Sequence, residues 1–263
     1  MTDIDRERWN QRYRAGAYDF EPSAWLVARE ALLRPRRQAA RALDLACGAG
    51  RNALYLAGLG YEVEAWDISD VALELLRAEL ERRRAAGQLL VVKPCQVDLE
   101  TAVLPVSGFD LVLDIHFLER SLFPSMVAAL RSEGVLVVQT LLRRGDTDDR
   151  NPAYLLKTGE LRAAFGRLEI LDYQEDPAGG WAGLVARRPS ETSATASRLD
   201  ARRRRRPLVR AGEVLAEIVP DVTPAQLVAA RGTSANRTGP PGWSQGRRCP
   251  PHRISGSPAR CGR

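Results

Sequence analysis

Apolar positions in the first 188 residues fall into short runs, separated by stretches in which they recur at helical spacing. The runs ALDLA (42–46), YEVEAWD (61–67), LLVVKPCQV (89–97), FDLVLDI (109–115) and VLVVQTL (135–141) read as strands. Helices are predicted at 4–14, at 23–33 behind Pro22, and from a glycine turn to Gly60. Further helices are predicted at 70–86 between Ser69 as N-cap and Gly87 as stop, at 122–132 before Gly134, and at 158–165. Strands that are apolar throughout and alternate with helices predict a parallel sheet covered on both faces. Pro94 marks the third strand as an edge or a bulge. The rhythm then changes. LEILDYQED and WAGLVARR are joined by the turn residues PAGG (177–180), which predicts an antiparallel hairpin. The sum is an α/β fold with a mixed seven-stranded sheet that ends in a hairpin.

From about residue 189 the periodicity stops. PSETSATASR, ARRRRRP and GTSANRTGPPGWSQGRR cannot bury enough apolar surface to offset chain entropy. The expected organisation is a folded domain over 1–188 and a mostly disordered Arg/Pro/Gly/Ser-rich tail over 189–263. One island, 207–220, has the pattern of a short helix. The net charge of +6 divides along the same line, +9 in the tail and −3 in the remainder. The basicity therefore says nothing about a ligand of the folded part. The charged start MTDIDRERWN and the shortness of the most apolar run, 134–142, predict a cytoplasmic protein without a membrane span. Four cysteines without paired spacing predict no disulfide framework.

The chemistry concentrates at strand ends. In DLACGAGRNA (44–53) Gly48, Gly50 and Ala53 follow the G-x-G-x-x-A spacing of a dinucleotide-binding turn. Asp67 lies 19 residues after Gly48, where a carboxylate takes ribose hydroxyls in either of two ligands, a nicotinamide dinucleotide or S-adenosylmethionine. Asp98, after the third strand, is placed to accept from an adenine amino group. Asp44 separates the two ligands: it would repel a pyrophosphate and suits an ammonium and a sulfonium.

DLACGAGRNALYLA, AWDIS, VDLE and FDLVLDIHFL, in that order, resemble the successive motifs of class I S-adenosylmethionine-dependent methyltransferases. The leader WNQRYRAGAYDFEPSAWL and the segment RSLFPSMVAALRSEGVLVVQT are similar to the small-molecule branch that includes the tellurite-resistance and thiopurine methyltransferases. The resemblance covers about residues 5–188. It implies a Rossmann-like fold, S-adenosyl-L-methionine as cofactor, and methyl transfer to a small molecule by in-line displacement. It implies that Asp44 with Ala46, Cys47, Gly48, Ala49 and Gly50 holds the methionine end of the cofactor. It further implies that Asp67 binds ribose, that Ile68 flanks adenine, that Asp98 and Leu99 read it, and that Asp114 and Ile115 border the site. The leading helices, 1–36, would form a lid over cofactor and acceptor, with Trp9 and Tyr13 on the cofactor. One departure is Ala46, where the family's acidic-x-Gly-x-Gly-x-Gly motif has its first glycine.

His116 is the only histidine of the folded part and stands after the fourth strand, as candidate general base or acceptor contact. Phe117 and Tyr154 are the other candidate acceptor contacts. Blander readings compete: His116 packs under the lid, Asp67 caps a turn, and Trp9 and Tyr13 form the core face of a helix. Cys47 is expected to be a small residue the loop needs rather than a nucleophile. NPAY (151–154) is similar to the loop with which adenine-N6 methyltransferases grip a flipped base, but it follows the fifth strand rather than the fourth. Cys249, His252 and Cys261 lack a fourth ligand at regular spacing, so no metal is expected. The rivals to a small-molecule enzyme are a nucleic-acid methyltransferase aided by the basic tail, a non-catalytic cofactor-binding regulator, and a nicotinamide-dependent oxidoreductase. Nucleic acid is expected as a partner only through the tail.

Overall fold

A computed structural model describes residues 3–145 and 148–190. The expected tail beyond residue 190, with its helical island and Arg run, lies outside the described residues. Helix α1 (Asp3–Arg14) comes first, followed by the short helices α2 (Ala24–Val27) and α3 (Glu30–Leu33). Then alternate β1 (Arg41–Leu45), α4 (Arg51–Gly58), β2 (Glu62–Asp67), α5 (Asp70–Ala85) and β3 (Val92–Gln96). Next come β4 (Phe109–Ile115), α6 (Phe123–Ala129), β5 (Leu130–Leu141), α7 (Glu160–Ala164), β6 (Glu169–Asp176) and β7 (Trp181–Arg187).

The seven strands form one sheet in the order β3-β2-β1-β4-β5-β7-β6. Pairing is parallel from β3 to β5, while β7 runs antiparallel between β5 and β6. Strand order reverses beside β1, which pairs with both β2 and β4, and ligand crevices of open sheets lie at such a switch.

Both faces are covered, which is why the central strands read as apolar runs. Leu43, Leu45, Phe109, Val112, Leu136 and Val138 face one core with Met126 of α6 and Leu161 of α7. Ala42, Val63, Ala65, Leu111, Leu113 and Val137 face the other, against Leu54 of α4, Leu73 and Leu76 of α5, and Leu26 and Leu33 of α2 and α3. Helix α5 starts as expected: the Ser69 hydroxyl accepts from the Ala72 N–H at 3.0 Å. The hairpin closes through Gly180, whose N–H donates to the Asp176 carbonyl at 2.7 Å. Pro94 sits on an edge strand, where its missing N–H costs no ladder bond.

Three expectations are corrected. The helix over 23–33 is two helical turns broken at Arg29. The Arg29 guanidinium lies 3.8 Å from the Trp25 ring centre, donates to the Trp25 carbonyl and pairs with Asp172 on β6, which holds the backbone out of helical register. The third strand begins at Val92, not Leu89: in the register that pairs Val63 with Val92, Leu89 would lie opposite Gly60, before β2 starts. Helix α6 stops at Ala129, since Leu130 already pairs with Phe109. Gly134 is therefore not a helix stop. A side chain there would meet the Arg131 carbonyl oxygen at 2.9 Å and the Phe109 carbonyl oxygen at 3.2 Å, so glycine lets two backbones approach.

Candidate functional site

The carboxyl ends of β1, β2 and β4 open into a cavity roofed by α1 and the segment after it. The turn after β1 lines it with Ala46, Cys47, Gly48, Ala49, Arg51 and Asn52. Asp67 ends β2 and Ile68 follows it, Val97 and Leu99 come from just beyond β3, Ile115 ends β4 with His116 and Phe117 just beyond, and Trp9 and Tyr13 come from α1.

The turn alternates into left-handed backbone. Ala46 has φ 52°, Gly48 57° and Gly50 84°. Only glycine adopts this conformation freely, so Ala46 carries about 1–2 kcal/mol of local strain that the family's usual glycine avoids. A Cβ on Gly48 would lie 2.3 Å from the Tyr13 hydroxyl, so the lid rests directly on the loop's backbone. Gly50 serves packing instead, since a Cβ there would meet Leu76 of α5 at 2.4 Å. It lets the helix approach and does not line the cavity.

Asp67 ends β2 with both oxygens engaged by backbone. Its Oδ2 accepts from the Gly48 N–H and its Oδ1 from the Ser69 N–H, each at 2.8 Å. Burial raises its pKa, and these hydrogen bonds oppose the rise. Each oxygen keeps a second lone pair for a ligand hydroxyl.

Asp44 lies one layer below the cavity floor rather than in it. It is 2% exposed, and its Oδ2 has no hydrogen-bond partner. Burial first, and the Asp67 charge second, push its pKa up to about 8; the Ala53 N–H donates to it and opposes the shift. Asp114 on the neighbouring strand is also buried below the floor, 1% exposed, with Oδ1 unpartnered. Its pKa is raised by burial and by the charge of Asp44. The cavity floor thus covers two buried carboxyls whose neutral forms burial favours. A cation bound above them would favour their ionised forms, which burial alone disfavours. A pyrophosphate there would disfavour their ionisation further.

His116 adopts φ 66°, and its N–H donates to the Gln139 carbonyl at 2.8 Å. The imidazole borders the cavity, and burial with the neighbouring Arg51 charge lowers its pKa, so it is neutral near pH 7. The Cys47 thiol is buried, and its pKa is pushed up by burial and by Asp67, which argues against a thiolate nucleophile.

Some residues singled out from the sequence stand apart. Asp98 is not in the cavity lining; its Oδ1 accepts from the Glu100 N–H in the turn it opens, and its neighbours Val97 and Leu99 face the cavity. Tyr154 is 53% exposed on a turn after β5 and does not reach the cavity. Others were not foreseen. Arg51 borders the cavity and pairs with Asp19 at 3.6 Å. Asn52 accepts from the Ser23 N–H at 3.0 Å, and Asn10 is buried on α1. Arg51 and Asn52 directly follow the glycine turn, which was the available signal. Asn10 left none, since a buried amide reads as a surface one.

Among the described residues, no helix is long and apolar enough to cross a membrane. A family model described as tellurite resistance protein TehB matches residues 31–180. A Haemophilus influenzae protein named a probable S-adenosyl-L-methionine-dependent methyltransferase TehB is 26% identical over 144 residues, 52% of this chain and 48% of that one. The chain thus spans about half the length of the curated relatives it matches. The crystal structure of TehB from Haemophilus influenzae shares the fold with a TM-score of 0.53 at 20% identity, over 70% of this chain and 66% of that one. Geranyl diphosphate C-methyltransferase from Streptomyces coelicolor, solved with S-adenosyl-L-homocysteine, shares it with a TM-score of 0.51 at 13% identity, over 62% and 80%. The Rossmann-like methyltransferase fold expected from the order of the motifs is the fold observed, and the chain belongs to the TehB tellurite-resistance protein family.

Proposed function

We propose that the protein transfers a methyl group from S-adenosyl-L-methionine to a small-molecule acceptor. The observation that carries this reading is the buried, unpartnered carboxylate oxygen of Asp44 beneath a glycine turn that also binds Asp67. A positive ligand above that floor draws Asp44 toward its ionised form and gains an attraction that a negative ligand lacks. Bound there, S-adenosyl-L-methionine supplies an already activated methyl on its sulfonium.

The chain's own residues then divide the work. Asp67, oriented by two backbone N–H groups, receives the ribose hydroxyls. Ile68, Val97 and Leu99 make the apolar slot for adenine, with Asp98 at its rim. Asp44, with Asp114 beside it, supplies the counter-charge for the methionine ammonium through the turn 46–50. Trp9 and Tyr13 cover the cavity and exclude water, so donor and acceptor meet in a fixed line. His116 and Phe117 border the acceptor end. A neutral imidazole there takes the proton from a hydroxyl or ammonium acceptor, while a thiolate needs no such help.

Calorimetric titration of the protein with S-adenosylmethionine, S-adenosylhomocysteine and NAD tests the reading. Micromolar binding of the first two and none of NAD is expected. Binding of NAD alone, or of none, would refute it. His116→Asn should cut turnover of a hydroxyl acceptor by roughly 10²–10⁴-fold and flatten its pH profile while cofactor affinity stays the same. Unchanged turnover would remove the base role.

A further inference from the structure

Helix α1 is polar along most of its length, DIDRERWNQRYR, yet the residue it buries is an amide, Asn10, 3% exposed. Burying an amide is unfavourable unless its groups are hydrogen-bonded. Both of its polar atoms are. The Asn10 Nδ2 donates to Asp70 Oδ1 at 2.8 Å, and its Oδ1 accepts from the Ser69 hydroxyl at 2.6 Å.

The partners are informative. Ser69 is the N-cap of α5, and its own N–H holds the Asp67 carboxylate. One turn further along α1, Tyr13 lies on Gly48, whose N–H holds the other oxygen of the same carboxylate. A closed circuit therefore runs from Asn10 through Ser69 to Asp67, through Gly48 to Tyr13, and back along α1. Trp9, adjacent to Asn10, is the lid's other contribution to the cavity wall. Arg6 and Arg14 of α1 add charge attraction toward Asp70. That attraction is solvent-exposed and screened, whereas the amide is buried and directional.

We infer that Asn10 is the latch of this lid: a positioning residue that holds Trp9 and Tyr13 over the cofactor and ties lid closure to the carboxylate that binds ribose. The inference rests on the proposed cofactor site. With the latch made, α1 is fixed at one point against the N-terminus of α5, and release of cofactor requires that point to open. Asp70 is part of the latch as the acceptor for Nδ2, and the amide bond is the leading cause of its lowered pKa.

The test compares the full-length chain with Asn10→Ala and Asn10→Asp. The aspartate keeps the shape of the side chain but replaces the donor with a carboxylate facing Asp70. Dissociation of radiolabelled S-adenosylhomocysteine is followed after a chase, alongside hydrogen exchange of residues 3–14 without ligand. Both variants should release the cofactor product at least tenfold faster and raise exchange in α1 tenfold, while exchange in β1, β4 and β5 stays unchanged. Wild-type release rates in both variants, or in Asn10→Asp alone, would overturn the latch. Faster exchange throughout the sheet would also overturn it, since the residue would then support the fold generally. If the wild-type chain binds no S-adenosylhomocysteine, the cofactor reading itself fails and takes the lid's role with it; intact wild-type binding with unaltered variants fails the latch alone.

Discussion

Replacing Asp44 by asparagine should stabilise the protein as it disables it. The carboxyl is buried with an unpartnered oxygen, and its pKa stands near 8 in the folded chain against an ordinary value of 3.8. An acid whose folded pKa is raised contributes stability that is complete below its unfolded pKa and is lost as the pH rises through the folded one. Between pH 4 and 8 the loss amounts to about 1.4 kcal/mol per pH unit at full linkage. Asparagine has the same shape, keeps an oxygen for the Ala53 N–H and carries no charge at any pH. The variant should therefore gain on the parent as pH rises from 5 to 8. Half of full linkage over those three units is about 2 kcal/mol, or roughly 4–8 °C in melting temperature for a domain of this size. Thermal unfolding of both proteins at half-unit pH steps measures the gap. Melting curves that stay parallel across the window would refute the burial of an ionisable charge at Asp44. Calorimetry on the same samples should show S-adenosylmethionine binding weakened at least tenfold, because asparagine cannot ionise to answer the ligand's positive charge.

Other perturbations probe neighbouring parts of the molecule. Asp67→Ala removes the acceptor for two backbone N–H groups and the ribose ligand; affinity should fall at least tenfold by calorimetry, and unchanged affinity would count against the site assignment. Gly48→Ala strains a φ of 57° and drives a methyl into the Tyr13 hydroxyl, so the variant should lose cofactor affinity with α1 more exposed to exchange; a protected α1 would show that the lid does not rest on the loop. Gly183→Ala places a Cβ 2.3 Å from the Trp25 ring, and overpacking of about 2 kcal/mol should lower the melting temperature by roughly 4–8 °C, with an unchanged midpoint contradicting the packing described.

The strands, the glycine turn and the terminal hairpin were legible because each rests on local signals: apolar runs, φ-permissive residues and a Pro-Gly turn. What escaped depended on partners far along the chain. The break at Arg29 is made by Asp172, 143 residues away, and no periodicity announces it. Asp44 was legible as a charge near a ligand but not as a buried one, since its depth comes from the pairing of β1 between β2 and β4. Gly50 looked like a ligand contact and is instead a landing place for Leu76. Asn10 is the clearest case: its polarity argued for solvent, and only the docking of α1 on α5 turns that polarity inward.

The place of β7 between β5 and β6 has a consequence for the order in which the sheet can be completed during synthesis. β6 leaves the ribosome first, yet its ladder partner is β7. Until residues 181–187 follow, β5 shows an open edge of backbone donors and acceptors, and β6 has nowhere to pair. At bacterial or eukaryotic elongation rates the delay after β5 lasts seconds, long enough for a competing strand from another nascent chain to be captured. The last of these seven strands to be made is thus the wedge that protects two earlier ones, and a chain broken within it would forfeit β6 as well.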